Sequence, residues 1–155
     1  MSAFLVRKTE PQDAFELAER LRIADQNEIR AALGKEPLAV LARCPVISPI
    51  CYTVVNEHGR PIAMFGITPD RSDPEAGIPW ALGTPELTSN PKAFLKESKS
   101  WLKQFQQQYR KLWNYIDARN EVHIRWITRI GFRIADRIEE FGFEKRPFYR
   151  FEWVR

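Results

Sequence analysis

The sequence predicts an α+β protein in which helices pack on a sheet, and three observations support this class. Runs rich in aromatic and β-branched residues, typical of strands, are interspersed with segments whose apolar residues recur at helical spacing. Their order is strand, two helices, three strands, helix, strand, helix and two strands. The chain has 155 residues, of which 44% are apolar, and this is enough to bury a core. We therefore expect residues 1–155 to form a single domain.

The N-terminal third is expected to contain one strand and two helices. Phe4–Lys8 has the composition of a first strand. Asp13 is the expected N-cap of a long helix over Ala14–Leu33, where apolar residues recur every three to four positions. A shorter helix begins at Pro37 and is expected to end before Pro45, because proline lacks the amide that a helix interior needs.

Two strands joined by a hairpin turn follow, over Ile50–Val55 and Pro61–Thr68. His58 lies at the predicted hairpin tip, where we expect a turn residue rather than a catalyst. Gly66 lies inside the second strand, which indicates a bulge or the close approach of another backbone.

The middle of the chain alternates loops with a short strand and a long helix. Pro69–Gly77 is polar and rich in proline, so it is predicted to be a loop, and Ile78–Gly83 is a short apolar strand. Thr84–Ser89 is a second predicted loop. Asn90 is followed by proline, a combination typical of a helix start, and this helix is expected to extend to about Arg110.

A strand, a turn and a helix come next. Leu112–Ile116 has the aromatic and branched residues of a buried strand. Asn120 is placed to cap the following helix with its side chain, which would accept from the next backbone amides. Gly131 is placed where this helix should end. Two closing strands are predicted over Phe132–Ile138 and Phe148–Val154.

Charge and composition exclude several classes of protein. The net charge is only +4, and 20 acidic residues are interspersed with the basic ones, so nothing indicates a dedicated nucleic-acid surface. Cys44 and Cys51 lack metal-ligand spacing, and no metal is expected. No run approaches the roughly 18 apolar residues of a membrane span, and no leader segment is expected. The expectation is a soluble protein of the cytoplasm. Four lysines are expected on the solvent side of one helix: Lys92, Lys96, Lys99 and Lys103.

The strand, turn and helix resemble the last motif of the GNAT acyltransferases: Asn, a small residue three positions on, Leu-Tyr, a basic residue and Gly-Phe. The positions that follow this spacing are Asn120, His123, Trp126, Ile127, Arg129, Gly131 and Phe132. A closer resemblance is to GNAT-like proteins of short-tailed bacteriophages, which are grouped with internal virion and head-assembly proteins. The positions that match this subgroup are Leu112 to Tyr115, Asn120, His123 to Arg125, Ile130 and Gly131.

The resemblance implies a fold and a cofactor site. The fold would be GNAT-like, with α/β/α layers and a mixed, mostly antiparallel sheet of about six to seven strands with about four helices. The backbone of Ala81, Leu82 and Gly83 would hold the pantetheine arm of acetyl-CoA. Asn90, at the start of a helix, and Asn120 would lie beside the same cofactor.

Two positions depart from the family's pattern. The stretch Leu82–Pro91, where the phosphate-binding loop should lie, has one glycine and two prolines, and each proline removes an amide donor. Glu86 places a negative charge where a pyrophosphate would bind. The family's tyrosine, the acid for the leaving thiolate, falls on Ile127. Tyr115 is either a substitute for this acid or an aromatic residue of the core or an interface. The resemblance and these departures are therefore compatible both with a chain that binds acetyl-CoA and with one that does not.

Arg22, Asp25 and Glu28 are three residues apart and share one helix face. They could form an ion-pair network on the surface. Alternatively, the resemblance places them beside the acceptor cleft, where Glu28 or Asp25 would act as the general base. For His123 we expect a structural role, with a hydrogen bond to the turn or to a neighbour.

The sequence therefore leads to one main functional hypothesis and one main alternative, besides a nucleic-acid accessory protein that would use the lysine face of the helix over residues 90–110. The main hypothesis is a GNAT-like phage protein, with an eroded acetyl-CoA site, that acts in virion assembly or structure as an internal virion protein. Its partners would be other phage virion proteins, and it would lie in the host cytoplasm or be associated with the virion. The alternative is an acetyl-CoA-dependent N-acetyltransferase that acts on a small-molecule or protein amine.

Overall fold

The computed structural model describes residues 4–155, which form seven strands, five α-helices and one short 3₁₀ helix at Pro85–Ser89. The strands are β1 (Leu5–Lys8), β2 (Ile50–Val55), β3 (Pro61–Pro69), β4 (Ala76–Gly83), β5 (Lys111–Asp117), β6 (Arg133–Phe141) and β7 (Arg146–Val154). The helices are α1 (Pro11–Ala18), α2 (Ile23–Leu33), α3 (Pro37–Ile47), α4 (Pro91–Gln108) and α5 (Glu121–Ile130). The predicted α+β class is confirmed.

All seven strands belong to one sheet, in the order β1-β2-β3-β4-β5-β7-β6. Every neighbouring pair is antiparallel except β4 and β5, which are parallel. These two strands pair only where they begin, at Ala76 with Lys111 and Gly77 with Leu112. Beyond that point they separate, and we call the gap between them the splay. The splay is narrow at these two pairs and wide near Gly83.

Helices cover both faces of the sheet. Met64 and Ile67 are an odd number of positions apart on β3, so their side chains lie on opposite faces. Met64 packs with residues of α1, α2 and α3, whereas Ile67 packs with residues of α4 and α5. The result is the predicted α/β/α arrangement of layers, with one apolar core on each side of the sheet.

The first helix begins earlier than predicted, and Asp13 is not its N-cap. The N-cap is Glu10, and α1 starts at Pro11. Asp13 lies inside the first turn, where its carboxylate accepts from the Glu10 amide at 2.8 Å and from the Arg7 guanidinium through two bonds of 2.8 Å. Thr53 on β2 donates to the same buried carboxylate at 2.7 Å. A tertiary network, which local sequence does not reveal, therefore sets the position of Asp13.

The single helix predicted over Ala14–Leu33 is also wrong, because the chain leaves helical conformation between α1 and α2. No glycine or proline marks this break. At the break the Arg22 amide donates to the Gly83 carbonyl at 2.9 Å, which fixes the start of α2 against the end of β4. The break therefore positions α2 at the wide end of the splay.

The expected end of the second helix before Pro45 is a further error. Pro45 lies in the last turn of α3, which continues to Ile47. A proline there removes one hydrogen bond near the helix end, and the turn is closed by the Ser48 amide, which donates to the Cys44 carbonyl at 2.9 Å.

Two local predictions are confirmed. Asn90 is the N-cap of α4, and its side chain accepts from the Ala93 amide at 3.3 Å. Gly66 meets a close backbone: a Cβ at this position would lie 2.2 Å from the Ile50 carbonyl oxygen. A side chain there would separate β2 from β3.

Candidate functional site

Asp25 is the centre of a buried polar network at the wide end of the splay. Its carboxylate is fully buried and pairs with the Arg22 guanidinium at 3.0 Å. It accepts from the Gly83 backbone amide at 3.0 Å and from the Asn120 side-chain amide at 3.2 Å. One carboxylate therefore joins α2, the end of β4 and the start of α5. The expected contact between Arg22 and Asp25 exists, but it lies in the interior and not on the surface.

Asn120 occupies the N-cap position of α5, but its side chain makes no capping hydrogen bond. The side-chain oxygen accepts from Arg22 at 3.3 Å, and the side-chain nitrogen donates to Asp25 and to Glu28, at 3.4 Å for the latter. The predicted capping interaction is therefore wrong. Hydrogen bonds to charged partners are stronger than those to a neutral amide, so the buried ionic network holds this side chain.

Glu28 lies one turn after Asp25 and faces the same gap. Its Oε1 atom accepts from the Asp117 backbone amide on β5 at 2.8 Å. Burial, reinforced by the nearby Asp25 carboxylate, raises the pKa of Glu28 to about 8. Glu28 is therefore mostly protonated at neutral pH. Together Asp25 and Glu28 accept from amides on both strands that border the splay.

His123 is buried beside this network. Its Nδ1 atom lies 3.6 Å from the Asp25 Oδ1 atom, just beyond hydrogen-bond distance, and its ring contacts Trp126. The Nε2 atom is covered and has no hydrogen-bond partner among the described residues. Burial lowers the pKa of His123, so the imidazole is neutral at pH 7. The expected side-chain hydrogen bond, to the turn or to a neighbour, is not found among the described residues, and His123 instead lies beside the Asp25 carboxylate.

In the segment after β4, where the family would bind a pyrophosphate, several polar groups already have hydrogen-bond partners in the protein. The Thr84 amide donates to the Ile62 carbonyl at 2.9 Å, and the Leu87 amide donates to the Thr84 carbonyl at 3.1 Å. The Glu86 carboxylate accepts from the Asn56 side chain at 2.8 Å. A phosphate here would meet occupied amides and a carboxylate.

The N-terminus of α4 also offers few free backbone amides to an anion, because amides there already donate to Asn90. The Ala93 amide donates to the Asn90 side chain, and the Phe94 amide donates to the Asn90 carbonyl at 3.0 Å. Pro91 has no amide hydrogen. Asn90 itself therefore occupies donors that an anion at this helix terminus would need.

A cavity of about 420 Å³ lies at the splay, with walls from the helices on both faces of the sheet. Ala81 and Leu82 on β4 line it, as does Tyr115 on β5. The Tyr115 ring packs against Phe141, with ring centres 4.4 Å apart, and against Trp113 at 5.5 Å. The candidate cofactor residues Ala81, Leu82 and Gly83 thus border one gap with Asn120, whereas Asn90 caps α4.

Neither a group of metal-ligating side chains nor a membrane-spanning helix is found among the described residues. Within residues 4–155, no three or more His, Cys, Asp or Glu side chains are grouped so as to hold a metal ion. Over the same range, none of the helices combines the length and the apolar character needed to cross a membrane.

The sequence pattern of the second half matches a known family. Residues 83–140 match the family described as "Bacteriophage T7, probable scaffold protein Gp13". This segment runs from the end of β4 into β6, so it includes Tyr115, Asn120 and His123. No curated protein sequence gives a significant match to this chain.

Solved structures match almost the whole chain. A putative acetyltransferase from Acinetobacter baylyi is 18% identical, with a TM-score of 0.74 over 100% of this chain and 93% of that one. A GNAT-superfamily phosphinothricin acetyltransferase from Sinorhizobium meliloti, solved with AcCoA, is 15% identical, with a TM-score of 0.74 over 98% and 88%. A GNAT-family acetyltransferase from Streptococcus pneumoniae is 18% identical, with a TM-score of 0.64 over 97% and 98%. The chain has the GNAT fold, as predicted.

Proposed function

We propose that this GNAT-fold chain, which matches the phage T7 Gp13 family over residues 83–140, acts as a single domain in the assembly or structure of a bacteriophage virion. Its partners in this proposal are other proteins of the virion, and acetyl-CoA does not bind in the manner usual for the fold. The family match supports the assembly role. The geometry at the wide end of the splay supports the loss of cofactor binding.

One observation carries the second half of the proposal: two carboxylic acids from α2 accept from backbone amides on both sides of the splay. Asp25 accepts from Gly83 on β4, and Glu28 accepts from Asp117 on β5. A pantetheine arm would have to displace these acceptors to pair with the strands. A pyrophosphate nearby would meet Glu86 and the buried Asp25 instead of free amides.

Acetyl-CoA titration tests the cofactor half of the proposal. We expect no saturable heat in calorimetry and no thermal stabilisation at millimolar acetyl-CoA, because a ligand that binds the native state must raise its stability. A GNAT enzyme of similar size serves as the positive control. Stabilisation at micromolar acetyl-CoA would overturn this half.

Deletion of the gene from the phage genome tests the assembly half. We expect fewer DNA-filled particles by electron microscopy, with recovery when the wild-type protein is supplied in trans. A variant Glu28→Gln should restore assembly equally well, because no acetyl transfer is required. Normal particle yield without the protein would refute the assembly role.

A second candidate, an N-acetyltransferase, rests on Glu28. A carboxyl group whose pKa is about 8 is suited to accept a proton from an amine near neutral pH. Acetyl transfer to a panel of amines, lost in Glu28→Gln and in Asn120→Ala, would support this candidate. No turnover with any amine and no cofactor binding would remove it.

A further inference from the structure

The cavity at the splay has an unusual lining. Twelve of its lining residues are aromatic, among them Trp80, Trp101 and Trp126. Its volume of about 420 Å³ lies within the range of small-molecule sites. The walls include residues of α2 and α3 on one face and of α4 and α5 on the other. An occupant would therefore contact helices from both layers beside the splay.

The part of this lining that the structure describes contains carboxylic acids but no basic side chain that is charged at pH 7. Its carboxylic acids are Glu28 and Glu97, whereas no lysine or arginine is found among the described residues that line it. The His123 imidazole, which is also in the wall, is neutral at pH 7. An anionic molecule would meet acids without a compensating cation. A cationic molecule would meet acids and the electron-rich faces of aromatic rings, which attract organic cations.

Glu28 has one carboxyl oxygen available for such a contact. Both hydrogen bonds that it accepts from described residues, from Asp117 and Asn120, fall on Oε1. Its side chain is half-buried, and it borders the cavity. The Oε2 atom can therefore face a cation in the cavity without loss of the contacts that hold Glu28 between α2 and β5.

We propose that this cavity binds an apolar organic cation, with its charged nitrogen beside Glu28 and its apolar part among the aromatic side chains. This inference goes beyond the assembly role and does not depend on it. A quaternary ammonium ion is the most informative probe, because its nitrogen carries no hydrogen and cannot accept an acetyl group. Binding of such an ion is therefore distinct from binding of an acetyl acceptor.

Octyltrimethylammonium is the test cation, with 1-octanol and octanoate as neutral and anionic controls of similar apolar length. The three tryptophans in the wall provide a fluorescence signal. We expect saturable binding of the cation, about tenfold weaker binding of octanol and no saturable binding of octanoate. The net charge of +4 disfavours non-specific attraction of cations to the surface. Equal affinity for cation and octanol, or no saturable binding of the cation, would overturn the proposal.

Three variants locate the site. Glu28→Gln should weaken cation binding about tenfold and leave octanol binding unchanged, so octanol also reports that the variant is folded. Ala81→Phe, which fills part of the cavity, should weaken both ligands. The matched control is Glu57→Gln, because the Glu57 side chain is 79% exposed on a hairpin turn and should not affect binding. Unchanged cation binding in Glu28→Gln would refute the assignment.

Proton release gives an independent measurement. A cation beside Glu28 should lower its pKa, so about one proton should leave per bound cation at pH 7, measured by calorimetry in buffers of different ionisation enthalpy. The charged and titratable groups that surround Glu28 are Asp25 and Arg22 near α2, Asp117 and Arg119 before α5, and His123 on α5. Glu28→Gln should abolish this release, and release that persists in the variant would assign the proton to another group.

Discussion

The two ends of the splay are held in different ways. At the narrow end, β4 and β5 pair through their backbones, and the Asn114 side chain bridges the start of the gap by a bond of 2.8 Å to the Pro79 carbonyl. At the wide end, the Asp25 and Glu28 side chains of α2 accept hydrogen bonds from backbone amides of both strands. The buried His123 side chain of α5 lies beside Asp25. The comparison shows that one gap can be open in its backbone and still be occupied by side chains.

The difference in chemistry implies a difference in sensitivity. At the narrow end, a side-chain substitution removes packing but leaves the backbone pairs in place. In a buried ionic network, loss of one side chain leaves the charges of its partners buried without a compensating group. We therefore expect the wide end to respond more strongly to single substitutions and to pH than the narrow end.

The largest effect is expected for Asp25→Ala. The change leaves the buried Arg22 guanidinium, the Gly83 amide and the Asn120 amide without their shared acceptor, at a cost of about 3–5 kcal/mol in the free energy of unfolding. Urea denaturation measures this loss. In hydrogen exchange, the Gly83 amide should lose protection, while the Leu112 amide at the narrow end keeps it.

Asp25→Asn is the matched control for this prediction. It retains an acceptor oxygen and similar volume, so it should cost clearly less than Asp25→Ala. A loss below about 1 kcal/mol for Asp25→Ala would mean that the network contributes little, and the proposed contrast between the two ends would fail.

The second prediction concerns pH. The pKa of Glu28 is about 8 in the folded state and near 4.5 as an ordinary glutamate, so the folded state holds a proton that the unfolded state has released. The free energy of unfolding should therefore fall as pH rises from about 4.5 to 8, by up to about 1.4 kcal/mol per pH unit from this group. Below this window the effect disappears, and above it the loss is complete.

Glu28→Gln supplies the comparison for this pH profile. The amide cannot ionise, so stability measured by urea denaturation from pH 5 to 8.5 should fall less in the variant than in the wild type. If the free energy of unfolding fell equally with pH in the variant and in the wild type, Glu28 would already be ionised in the folded protein at low pH.

Much of the fold followed from local pattern. Asn90 before proline marked the start of α4, Gly66 marked the close contact of two strands, and Leu112–Ile116 marked β5. In each case the signal lies within a few residues of the feature. The α+β class could therefore be predicted from local pattern, whereas the GNAT fold was predicted from the resemblance of the stretch around Asn120 to the family's last motif.

The site could be predicted only in part, because its contacts are distant in sequence. Asp25 and Asn120 are 95 residues apart, and Asp25 and Gly83 are 58 residues apart. The break that turns α2 towards this site has no glycine or proline to reveal it. Asn120 is an acceptable cap by residue type, so local pattern could not show that its side chain bonds elsewhere.

The third prediction separates these two roles of Asn120. Asn120→Ala should cost about 1–3 kcal/mol, because it removes one of the two donors to each of the Asp25 Oδ1 and Glu28 Oε1 atoms and also removes an acceptor of the Arg22 guanidinium. Serine caps a helix about as well as asparagine, but its side chain lacks the amide that reaches Asp25 and Glu28. Asn120→Ser should therefore be as unstable as Asn120→Ala in urea denaturation. Recovery in the serine variant would restore the capping interpretation.

The smallest effect is expected at the narrow end, for Asn114→Ala. This change removes a single partly buried hydrogen bond to the Pro79 carbonyl, so the expected loss is about 0.5–1.5 kcal/mol. The backbone pairs at Gly77 and Leu112 remain, so hydrogen exchange there should be unchanged. Asn27→Ala on the exposed side of α2 is the matched control and should lie within about 0.5 kcal/mol of wild type. A loss at Asn114 as large as that at Asp25 would mean that both ends of the splay depend equally on side chains.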